Sequence, residues 1–120
     1  MTGREVINRA IDLLGYSSAN GNTQIAPRIM NRAVSIVNVV YEDLWGITSA
    51  QEFEPIKALS DEVKLTGRAL ECMPYGVAAF IAQSESDGDG QQLWMLTYNK
   101  KRSTLSKSYI RQDVLPIERG

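Results

Sequence analysis

From Gln24 onward the apolar residues Ile25, Ile29, Met30, Ala33, Val34, Ile36, Val37, Val40, Tyr41, Leu44 and Trp45 recur at three- and four-residue spacing, the period of one face of an α-helix. The stripe runs for more than ~5 turns, too long for a strand. Its β-branched residues Val34, Ile36, Val37, Val39 and Val40 are therefore read as helical despite their liking for sheets. Pro27 suits a first turn, where no amide hydrogen is needed, with Thr23 or Asn22 as cap, and Gly46 is expected to stop the helix.

The flanking sequence reads in the same way. Val6, Ile7, Ala10, Ile11, Leu13 and Leu14 repeat at helical spacing from Thr2 to Leu14, with Thr2 and Glu5 placed as a capping box and Gly15 as a left-handed stop. Tyr16 to Thr23 is a polar loop of turn-forming residues. Ile47 to Thr66 loses the period and contains Pro55, which predicts a long ordered loop, with short strands at most, and a candidate interaction surface. A third helix spans Gly67 to Ser86, with Pro74 expected to kink it or open a new segment. The acidic turn Ser84 to Gly90 leads into a fourth helix carrying Leu93, Trp94, Leu96, Tyr98 and Leu105. Beyond Ser106 the apolar residues Tyr109, Ile110, Val114, Leu115 and Ile117 show no helical stripe and Pro116 intervenes, so an extended arm is expected. The fold class is all-α: a small bundle of about four helices, a long loop between helices two and three, a helical domain over 1–107 and a C-terminal arm over 108–120.

Composition then removes most chemistry. The 120 residues contain no histidine and a single cysteine, Cys72, so the usual general base, the commonest zinc ligand and any intrachain disulfide are missing. With 13 Lys and Arg against 14 Asp and Glu, net charge −1, no general attraction to nucleic acid is signalled. The charged residues Arg4, Glu5, Arg9 and Asp12 break any secretory leader, and no apolar run approaches the ~20 residues of a membrane span. The chain is expected to be cytosolic when made, with no membrane partner.

The residues that could carry chemistry have plainer readings. Cys72 has no histidine to activate it and is expected to be a buried structural thiol. Asp61 with Glu62 is read as a helix start, and Asp87 with Asp89 as a solvated turn. No glycine pattern matches a phosphate-binding or dinucleotide-binding loop. No catalytic, metal or cofactor residue is assigned, and no cofactor is expected. Lys100, Lys101, Arg102 and Lys107 form a basic cluster that could meet an acidic partner or passing DNA, although a helix C-terminus alone favours such cations. The arm residues Tyr109, Ile110, Val114, Leu115 and Ile117 could add to a neighbour's sheet or groove.

The order of elements carries a resemblance. A second helix ending in YEDLWG, the segment Leu59 to Leu65 (LSDEVKL), then Tyr75, Gly76, Ala78 and Ala79, the acidic turn Asp87 to Gly90, and Tyr98 with Asn99 resemble head-completion adaptor proteins of tailed bacteriophages, the head–tail connectors also encoded by prophages. The likeness covers nearly the whole chain. It implies a structural, non-catalytic virion protein whose subunits form a ring between the portal protein and the neck or tail completion protein, assembled in the bacterial cytoplasm. It also implies that Tyr109, Ile110, Val114, Leu115 and Ile117 are the portal-binding arm, with Arg102 and Lys107 near its root. Packaged DNA would pass nearby without sequence-specific binding, and subunits can be monomeric until a template closes the ring. The competing expectation is a small helical DNA-binding or regulatory protein that uses its basic end.

Overall fold

A computed structural model describes residues 1–15 and 25–119, and for 106–119 the course of the backbone alone. Among the described residues five α-helices follow one another: α1 Gly3–Leu14, α2 Pro27–Met30, α3 Ala33–Thr48, α4 Gly67–Ser84 and α5 Gly88–Arg119. Among the described residues there is no β-strand, and only one isolated bridge, between Thr2 and Glu62. No described helix is long and apolar enough to cross a membrane.

α1 has the expected caps. The Glu5 amide donates to the Thr2 hydroxyl at 3.2 Å and the Thr2 amide donates to the Glu5 carboxylate at 3.1 Å, so two groups that a helix end would otherwise leave unpaired are satisfied. Gly15 closes the helix at φ 75°, a conformation that only glycine adopts without strain. Val6, Ile7, Ala10 and Ile11 are buried, the stripe read from their spacing.

The long central helix is divided. Pro27 does begin a helix, but that helix ends at Met30, and Asn31 and Arg32 turn the chain before α3 starts at Ala33. Ile29 and Ala33, on either side of this turn, are both in the core, 3% and 0% exposed. Gly46 does not stop α3, which runs on to Thr48 and ends as Ser49 becomes extended. The Thr48 hydroxyl donates to the Leu44 carbonyl at 2.9 Å within that last turn.

α4 is the centre of the bundle and touches α1, α3 and α5. Its buried residues, Ala69, Cys72, Met73, Pro74, Gly76, Val77, Ala78, Ala79, Ile81 and Ala82, surround the axis, as expected for a helix covered on most sides. Pro74 neither ends the helix nor opens a new one. Pro74 is itself buried, which offsets part of the cost of the amide it lacks. Gly76 lies where three helices meet: a Cβ there would stand 2.8 Å from both the Tyr98 ring and Val40.

The loop between α3 and α4 is fastened at several points. Asn38 acts as a surrogate peptide, its amide donating to the Ile56 carbonyl and its oxygen accepting from the Ile56 amide, each at 2.9 Å. Tyr41 accepts from the Lys64 amide at 3.0 Å, and the Trp45 indole donates to the Gln51 carbonyl at 2.8 Å. The Gly3 and Arg4 amides, at the open start of α1, donate to the Asp61 and Leu59 carbonyls. Ile56, Val63 and Leu65 are buried beneath these bonds. The expected ordered loop is found, with no β-strand over 49–66.

α5 differs most from expectation. The segment read as an extended arm over 108–120 is helical as far as Arg119; Gly120 lies outside the described residues. Continuing an established helix avoids the cost of nucleating one, and Ile110, Val114 and Ile117 stand at i, i+4 and i+7, a helical spacing masked by Tyr109 and Leu115. The 32 residues of α5 span about 48 Å at 1.5 Å each, and the molecule measures 57 × 29 × 22 Å.

Candidate functional site

The helical hairpin of α4 and α5 sets where the end of the chain goes. Tyr75 meets Trp94 with ring centroids 5.9 Å apart, Gly76 faces Tyr98, and Arg68 lines one depression with Thr104. These pairs fix an antiparallel register in which the first turn of α4 lies beside Thr104 and Leu105. Leu105, 7% exposed, belongs to the core. The helical segment 106–119 therefore continues past the start of α4.

Just before that point α5 is locked to α3. Asp43 accepts from the Arg102 guanidinium at 2.7 and 2.8 Å through its two oxygens, and from the Tyr98 hydroxyl at 2.6 Å. A forked guanidinium against a carboxylate is directional as well as strong, so it sets the rotation of α5 about its axis. Partial burial would by itself push the Asp43 carboxyl up, but the hydrogen bonds from Arg102 and Tyr98 and the Arg102 charge outweigh it and hold the carboxyl below its usual range. Tyr98 is pushed far above an ordinary phenol, first by burial and then by its bond to Asp43. Its proton stays on at any physiological pH.

The basic cluster is thereby split. Arg102 is engaged by Asp43 and is a structural cation, not a free contact. Lys101 sits 4.8 Å from the centre of the Tyr75 ring, a cation–π arrangement, at the edge of a groove of about 430 Å³ lined also by Arg9, Asp12, Leu13, Glu71 and Pro74. Lys100 is exposed. The side chain of Lys107, like those of Tyr109, Ile110, Val114, Leu115 and Ile117, lies outside the described residues.

The other candidates resolve into structural parts. Cys72 is a buried free thiol, 2% exposed; burial pushes it up, away from the thiolate, and the pull of Lys101 does not reverse this. Asp61 and Asp87 exchange the roles expected of them. Asp61 closes a loop turn by accepting from the Lys57 and Ala58 amides at 2.8 and 3.1 Å. Asp87 caps α5 by accepting from the Gly90 amide at 3.0 Å. Among the described residues no group of three or more acidic, cysteine or histidine side chains could hold a metal.

Two large apolar residues of α5 face solvent. Leu93 and Leu96, read only as apolar residues of the last helix, are 54% and 72% exposed. The run Leu93 to Tyr98, LWMLTY, is apolar nearly all round the helix, more than one core-facing stripe can use. That excess was the available signal.

Comparison with known proteins finds no matching family model, no matching curated protein and no matching solved structure.

Proposed function

We propose that this chain is a non-catalytic adaptor subunit of a tailed-phage head–tail junction, forming a ring between the portal and a neck or tail completion protein. It would be put together in the host cytoplasm and reside in the virion. The observation that carries this reading is the length of α5: its backbone stays helical from Gly88 to Arg119, so residues 106–119 overhang the start of α4. Amphipathic helices are docked by grooves that accept apolar residues at i, i+4 and i+7. Tyr109, Ile110, Val114, Leu115 and Ile117 are the residues proposed to meet the portal, as a helix rather than a strand. The Asp43–Arg102–Tyr98 cluster would aim that helix, because it fixes α5 one turn before the overhang. The absence of catalysis fits the burial of Cys72 and the structural use of Asp61 and Asp87.

A DNA-binding role is the weaker reading, since Arg102 is occupied and the net charge is −1. The test is co-purification with the portal protein encoded in the same phage or prophage region, using the full chain and a version ending at Ser108. Capture of the full chain and loss on truncation, with the circular-dichroism melt of the bundle retained, is the expected result. Equal capture of both would remove the overhang as the dock, and capture of neither would remove the adaptor reading.

A further inference from the structure

The outward face of α5 carries Asp89, Leu93, Leu96 and Lys100, and all four residues are exposed. Their spacing of four, three and four is that of successive core positions in a coiled coil. Asp89, Leu93 and Leu96, with Gln92, line a shallow depression, and neither Asp89 nor Lys100 has an ion-pair partner among the described residues. Read in chain order the stripe is acidic, apolar, apolar, basic. Reversed, it is its own complement.

From this symmetry we infer that two copies of the chain pair through α5, antiparallel, about a two-fold axis passing between positions 94 and 95. In that register Leu93 of one copy packs on Leu96 of the other, and Leu96 on Leu93. Asp89 then faces Lys100 at one end of the four-leucine cluster, and Lys100 faces Asp89 at the other. Such an isologous contact uses every group twice. A uniformly acidic or uniformly basic partner would leave one end of the stripe facing like charge, which selects a second copy over either. Trp94, Met95 and Tyr98 face the bundle, so pairing does not compete with the fold. With two leucines from each copy the buried area falls well below the ~1,200 Å² of a standard stable interface. The pair is therefore weak and concentration-dependent, with a dissociation constant in the micromolar-to-millimolar range. It is independent of the portal-docking proposal and involves a different stretch of α5.

Sedimentation equilibrium of the full chain up to about millimolar concentration tests it, with circular dichroism confirming the fold of each variant. The wild type is expected to reach a monomer–dimer equilibrium and Leu96→Asp to stay monomeric. Asp89→Lys alone and Lys100→Asp alone each place like charges at both ends and should weaken the dimer at least about tenfold. The double variant restores both pairs and should recover the wild-type constant. A wild type that is monomeric throughout, one that forms larger assemblies instead, or a dimer indifferent to Leu96→Asp and the charge exchanges would overturn the inference.

Discussion

Gly76 shows how one side chain can be excluded by two helices at once. Alanine is favoured over glycine in a helix by about 1 kcal/mol, yet its Cβ would press on the Tyr98 ring and Val40 at 2.8 Å. The ring cannot swing aside without losing its bond to Asp43. Overpacking typically costs about 1–3 kcal/mol and should win, so Gly76→Ala is expected to lower the melting temperature. Asp43 gives a pH signature. Its carboxyl is held low in the folded chain, so its contribution is complete above the unfolded carboxylate range near pH ~4 and is lost as pH falls through the lower folded value. The stability gap between wild type and Asp43→Asn should be about 1 kcal/mol at neutral pH, given the exposure of the pair. Denaturant melts should show it narrowing on acidification. A gap that widened toward acid would mean that Asp43 is not held as the charged partner of Arg102.

At the scale of elements, α1 was legible because its caps, stripe and stop are all local: Thr2, Glu5 and Gly15 act on their own neighbours. α4 was legible in extent, because its apolar residues keep a helical period from Ala69 to Ala82, but Pro74, expected to kink the helix or open a new segment, leaves it undivided. The turn at Asn31 and Arg32 was not legible, because the apolar stripe keeps its period from Ile29 through Ala33 and neither residue at the turn is a glycine or proline. The bonds that fasten the loop were equally hidden: Asn38 and Ile56 are 18 positions apart, and no local pattern announces a long-range amide pair. Asn38→Ala should leave both polar groups of Ile56 without these partners, at a cost of about 1–3 kcal/mol. Limited proteolysis should then cut within 49–66, where the wild type resists. The helical state of the terminal segment was obscured by Pro116 and by apolar residues lying off the 110, 114, 117 stripe. Removing residues 109–120 is expected to reduce the helical signal in circular dichroism while leaving the melting transition of the bundle in place.

For the whole molecule, the candidate site was legible in part. The residues proposed to dock, Tyr109, Ile110, Val114, Leu115 and Ile117, were singled out by sequence, but in the wrong conformation. Arg102 was singled out as a free cation and is a positioning residue for α5, because its partner Asp43 is 59 positions away. In the proposed adaptor the labour is divided among a bundle centred on α4, a fastened loop, and a terminal helix whose rotation is set by a charged clamp. The most direct test of that arrangement is amide hydrogen exchange across α5 with and without the portal protein of the same phage or prophage region. Slowed exchange over 109–117 on adding portal, with the amides of α1 and α4 unchanged, is the result this arrangement requires. Exchange over 109–117 that is the same with and without bound portal would contradict it.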